Sequence, residues 1–157
     1  MTLLLGYGNP GRGDDGLGPA FADWAAARSI AGLKVITCFQ LTVEHAMAVS
    51  EANRVVFVDA SIDCKGGHSL TRLGPARTGQ IDSHRLNPAA VLRLAELLFG
   101  AAPQAWMLAI GGTSFDALSD KFSEQAERNL AGAKLGFLDW YGQQAAQAQG
   151  VQRPAAP

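Results

Sequence analysis

Residues 3–18 read Leu3-Leu4-Leu5-Gly6-Tyr7-Gly8-Asn9-Pro10-Gly11-Arg12-Gly13-Asp14-Asp15-Gly16-Leu17-Gly18. An apolar run breaks into a glycine-rich turn. The chain then passes into Leu17, Phe21, Trp24 and Ala25 at helical spacing. That is a strand, a turn and a helix, the opening unit of an α/β domain.

Working outward, the same alternation continues. Thr2–Leu5 predicts a buried strand, Leu17–Arg28 a first helix and Leu33–Phe39 a second strand. Val43–Ala52 predicts a second helix, with Thr42 as its cap. Arg54–Asp59, R-V-V-F-V-D, is an apolar β-branched run flanked by charge, as central parallel strands are. His68–Leu73 alternates weakly between glycine clusters and reads as a short edge strand. Pro88–Leu98 reads as a helix and Ala105–Ile110 as a last buried strand. From a Ser119 cap, a long helix carries Phe122, Ala126, Leu130, Phe137 and Tyr141 along one face. The fold class is therefore α/β: a three-layer sandwich on a mostly parallel, twisted sheet of about five strands, with one short antiparallel edge strand. Residues 1–142 form a single domain, and 143–157, rich in Ala and Gln and closing on prolines, are expected to be a disordered tail.

Composition narrows the function. At 157 residues the chain has the length of one domain, and 48% hydrophobic with 17% charged residues is the balance of a compact soluble protein. A net charge of -1 gives no basic track for nucleic acid and no attraction to an anionic membrane. The apolar runs are strand-sized, so no spanning or targeting segment is read. Cys38 and Cys64 make no C-x-x-C pair, which sets the expected compartment as the reducing cytoplasm.

The chemistry hinges on the opening loop. Gly6 to Gly11 satisfies the G-x-G-x-x-G spacing of a dinucleotide cradle, in which a pyrophosphate rests on a helix N-terminus. Asp14 and Asp15 already occupy that position, where like charges at contact repel by about 1 kcal/mol in water and more where water is excluded. Pro10 removes a donor, and the second strand ends in Phe39-Gln40 instead of the acid that would hold a ribose. No organic cofactor is expected. Asp14 alone reads as a helix cap. Two adjacent acids beside a glycine turn suit a cation better than a cap alone. In an open parallel sheet the working crevice lies beyond the carboxyl ends of the strands. Asp15 and Asp59 fall there from neighbouring strand ends, and His84 can join them from the loop before the third helix. Two carboxylates and an imidazole hold a divalent metal with coordination positions left open. Taken singly, Asp59 reads equally well as a turn residue; His68 reads as a solvated surface residue, and His45, near the crevice, reads either as a site residue or in a capping or packing role. No H-E-x-x-H is present, Ser61 and Ser114 lack a nucleophile elbow, and Cys38 reads as an inert core thiol.

These residues resemble the hydrogenase maturation endopeptidases, which trim the C-terminal extension from the NiFe-hydrogenase large-subunit precursor. The family opens with a strand and G-x-G-N-x-x-x-x-D-[DE]-x-x-G, matched by Gly6 to Gly18. Its apolar strand ending in Asp-Ala is matched by Val55 to Ala60, and its His before an amphipathic helix by Ser83-His84-Arg85-Leu86. The resemblance spans residues 2 to 141. It implies a nickel-dependent protease with metal ligands Asp15, Asp59 and His84, acting on a precursor that itself carries the nickel; a monomer is the default expectation. The family's D-G-G-T after the second strand, with an Asp suspected of a catalytic role, is replaced by Gln40-Leu41-Thr42-Val43-Glu44, so Glu44 is the candidate catalytic substitute. Gly111-Gly112-Thr113-Ser114 likewise departs from the G-x-x-P-x-S/T-like turn that relatives often show. Two other readings stand beside this one. A non-catalytic nickel- and precursor-binding chaperone module would explain the missing D-G-G-T. A peptidyl-tRNA hydrolase also opens G-x-G-N-P-G but continues with an aromatic and a His-Asn pair, where this chain has Arg12-Gly13-Asp14-Asp15.

Overall fold

The computed structural model describes residues 1–64, 66–77, 86–115 and 118–150. Five strands form one sheet in the order β2-β1-β3-β5-β4: β1 (Thr2–Tyr7), β2 (Leu33–Cys38), β3 (Arg54–Ser61), β4 (His68–Leu73) and β5 (Gln104–Gly111). The pairs β1–β2, β1–β3 and β3–β5 are parallel, and β4 closes the edge antiparallel to β5. The α/β class and the antiparallel edge strand agree with the sequence.

Strand alternation builds the two outer layers. Leu4, Val56, Val58, Leu108 and Ile110 face one side, where α1 (Leu17–Ala27) and α4 (Glu124–Gly150) contribute Leu17, Phe21, Leu130 and Phe137. Leu3, Leu5, Val55, Phe57 and Ala105 face the other, against Val49 of α2 (His45–Ser50) and Val91, Leu92 and Ala95 of α3 (Pro88–Phe99). Trp24, Trp140 and Tyr141 pack onto the first core, and Phe137 stacks on Tyr141 at 5.7 Å. Among the described residues no helix is long and apolar enough to cross a membrane.

Several local expectations are corrected. Strand β3 does not stop at Asp59 but runs to Ser61, because β5 continues to pair with it through Ser61↔Gly111. Helix α4 starts at Glu124 rather than after a Ser119 cap: Ser123 accepts the Ala126 N–H on its Oγ and the Glu127 N–H on its carbonyl. Helix α2 is only His45–Ser50, and the position that caps its N-terminus is Glu44 and not Thr42. His68 is half-buried against α4, where a Cβ on Gly136 would stand 2.8 Å from the imidazole Nε2. The expected tail is helical as far as Gly150, since Ala and Gln sustain a helix already nucleated by packed turns upstream.

The topology fixes where a site can lie. From β1 the chain crosses to β2 on one side and returns to β3 on the other, so the crevice opens above β1 and β3. Pairing of β1 with β3 ends at Gly6↔Val58, leaving Asp59 paired only with β5. Glycines let α1 descend onto this point. A Cβ on Gly18 would lie 2.3 Å from the Tyr7 carbonyl oxygen and 2.6 Å from that of Val58, closer than any side chain allows.

Candidate active site

A cleft of about 510 Å³ sits at this switch point, lined by Tyr7, Gly8 and Asp15 from the β1 side, Asp59 from β3, residues 39 to 44 after β2, and Leu86. Among the described residues three carboxylates face it, those of Asp15, Asp59 and Glu44, and no basic side chain does. Gly8 adopts φ +138°, and its Cβ position is filled by the Asp15 carbonyl oxygen at 2.0 Å. The turn therefore folds tightly back on the residue that carries the acid. Asp15 accepts the Asn9 N–H on Oδ2 at 2.9 Å, which orients its carboxylate at the mouth of the turn.

Asp59 is in an unfavourable setting for a charge. Burial raises its pKa to about 6, and the nearby Asp15 charge adds to this. The Ala60 N–H at 2.8 Å and the Tyr7 hydroxyl work in the other direction by donating to the carboxylate. Tyr7 itself is held neutral: burial pushes its hydroxyl far above the phenol range, and the Asp59 charge pushes the same way. Tyr7 was not singled out from sequence. The signal was the strand register, since Tyr7 and Asp59 follow the paired Gly6 and Val58 on adjacent strands.

Asp14 and Asp15 separate in role. Asp14 has no exposed surface. Its Oδ2 accepts from the Thr113 N–H at 2.7 Å, the Ser114 N–H at 2.9 Å and the Ser123 hydroxyl at 2.7 Å; its Oδ1 accepts the Ser123 N–H at 2.8 Å. Burial opposes its ionisation, but these donors, Ser123 foremost, outweigh burial and hold the carboxyl below its usual range. Asp14 thus ties the opening loop to the loop after β5 and to the approach to α4. The Gly111–Ser114 departure noted in the sequence serves this clasp.

Glu44 is exposed at the cleft mouth, its carboxyl held below the usual range by the Thr42 hydroxyl. His45 takes the capping role: its Nδ1 accepts the Thr42 N–H at 2.9 Å and lies 3.1 Å from the Thr42 hydroxyl. Cys38 is half-buried and burial raises its thiol pKa, consistent with an inert thiol. His84 lies outside the described residues. Among the described residues no group of three or more His, Cys, Asp and Glu is arranged to hold a metal, so the structure brings together two of the three expected ligands, Asp15 and Asp59.

No protein-family model and no curated protein sequence matches the chain. Solved structures do. The hydrogenase maturating endopeptidase HybD from E. coli superposes with a TM-score of 0.72 at 17% identity, over 92% of this chain and 93% of that one. A hydrogenase 2 maturation peptidase from a Thaumarchaeota archaeon gives 0.68 at 22% identity, over 90% and 98%. The fold is that of the hydrogenase maturation endopeptidases. A protein from Wolinella succinogenes described as uncharacterized shares it too, with a TM-score of 0.62 at 19% identity over 91% and 97%. Against the endopeptidase fold, the cleft wall formed by Gln40, Leu41, Thr42, Val43 and Glu44 is where the sequence departs from the family's D-G-G-T, and that wall lies directly on the cleft.

Proposed function

We propose that this protein is a hydrogenase maturation endopeptidase that removes the C-terminal extension of a nickel-loaded NiFe-hydrogenase large-subunit precursor. The observation that carries the reading is the convergence of Asp15 and Asp59, from loop and strand on either side of the switch point, in an acidic cleft of a fold shared with such proteases. A carboxyl that burial and a neighbouring charge keep partly protonated near pH 6 gains a cation readily, and a metal offers one in place of the proton. The nickel arrives as part of the substrate. Asp15 and Asp59, with His84 as third ligand, complete its coordination and place the scissile bond beside the metal. A precursor without nickel then lacks the group that docks it. Glu44, ionised at the cleft mouth, is the residue placed to accept a proton from an attacking water.

The chaperone reading keeps one observation in its favour, the absence of the D-G-G-T acid from the cleft wall. Incubation with nickel-loaded precursor separates the two. Mass spectrometry should show release of the C-terminal peptide by the wild-type protein and none by Asp15→Ala, Asp59→Ala or His84→Ala, each still folded by circular dichroism. Tight binding without any peptide release by the wild type would favour the chaperone.

A further inference from the structure

Three large apolar side chains stand exposed next to the acidic cleft: Phe39 is 68% exposed, Val43 50% and Met47 58%. Phe39 and Val43 line the same cleft as Asp15 and Asp59. From Val43 the chain already turns helically, with the Ala46 N–H on the Val43 carbonyl and the Met47 N–H on the Glu44 carbonyl. Val43 and Met47, four residues apart, therefore share one face and extend the surface away from the carboxylates. The opposite face of α2 is satisfied without them, since Ala46 and Val49 are fully buried in the core. Exposed apolar groups that the core does not use, grouped at a cleft, mark an interaction surface rather than leftover packing.

We propose that Phe39, Val43 and Met47 form a shelf that receives apolar side chains of the precursor's C-terminal extension, next to its nickel-bearing segment. This rests on the protease reading above and names how that site selects its substrate. Charge decides the occupant. Among the described residues the charged side chains lining the cleft are acids, which favours a cationic group in the part of the occupant that enters, and the shelf beyond favours apolar side chains. The nickel-bearing segment of the precursor supplies the cation, and the proposal requires apolar side chains in the extension that follows it; a second copy of this chain offers the apolar groups but no cation, its cleft being equally acidic.

Binding, not turnover, is the primary readout, so the shelf can be judged separately from catalysis. The affinity of nickel-loaded precursor for wild-type protein, Phe39→Ser and Met47→Ser should be compared. Phe39→Ser is expected to weaken binding about tenfold or more, as buried aromatic anchors do. Replacing the apolar residues of the extension by Ser should cost the wild type a similar factor and cost Phe39→Ser little further. Met47→Ser, at the far end of the shelf, should show a smaller loss and guard against misfolding of the first variant. Unchanged affinity in both variants would overturn the shelf. So would a dimer in sedimentation that Phe39→Ser dissolves, because the surface would then belong to self-association. Failure of every protein to cleave, with the binding differences intact, would count against the protease reading alone.

Discussion

Asp14 receives four hydrogen bonds in full burial, while Asp15 beside it accepts one from Asn9 and opens onto the cleft. Asn at position 14 would keep the shape but lose the charge that four donors have assembled around. Asp14→Asn should therefore cost about 2–4 kcal/mol of stability at neutral pH, measured by urea unfolding. The pH dependence follows from the direction of the shift. A carboxyl depressed in the folded state contributes stability above its unfolded pKa and loses it as pH falls through the folded value, so the gap between variant and wild type should close in acid. Asp59 has the opposite sign. Its folded pKa of about 6 lies above the ordinary value, so it favours folding only while protonated and opposes it as pH rises through 6. In metal-free protein, Asp59→Asn should raise stability by about 1–3 kcal/mol at pH 8 and by little below about pH 4, where the unfolded carboxyl is protonated as well. Thermal melts at the two pH values check this. The sequence placed Asp15 and Asp59 at neighbouring strand ends because each follows from its own strand, and both line the cleft. It could not place the clasp, because Ser123 lies 109 residues from Asp14 and no local pattern links them.

The elements were legible wherever periodicity was long and their ends wherever a cap was local. Leu17, Phe21 and Ala25 fixed α1, and R-V-V-F-V-D fixed β3. Ser119 was the wrong cap because it bonds within its own turn, to Lys121, while Ser123 meets the helix. α1 docks through glycine, and Gly18→Ala would drive a methyl into two backbone carbonyls that cannot move aside. A loss of more than about 2 kcal/mol is expected from the resulting strain, read by urea unfolding. The last turns of α4 behave differently. Trp140 and Tyr141 pack on the core, whereas beyond them Gln143 and Ala145–Gln147 are exposed. Deleting residues from Gln143 onward should leave the melting temperature within about 3 °C, while deletion from Asp139 should lower it by far more than that.

At the scale of the whole molecule, composition and alternation were enough for a three-layer α/β sandwich but not for its strand order. The order β2-β1-β3-β5-β4 arises from packing between segments distant in sequence, and it is this order that makes one crevice of the β1 loop and the end of β3. The acidic cleft, the apolar shelf beside it and the clasp behind it then form one device, in which a rigid turn presents two carboxylates toward a docking surface. Its central claim is that Asp15 and Asp59 act together on the precursor's own metal. A double-mutant cycle tests this most directly, with precursor affinity measured for wild type, Asp15→Asn, Asp59→Asn and the double variant, using nickel-loaded and nickel-free precursor. The account predicts losses for the single variants that are strongly non-additive with nickel-loaded precursor, and only weak, uncoupled effects without nickel. Additive losses of equal size with and without the metal would contradict it.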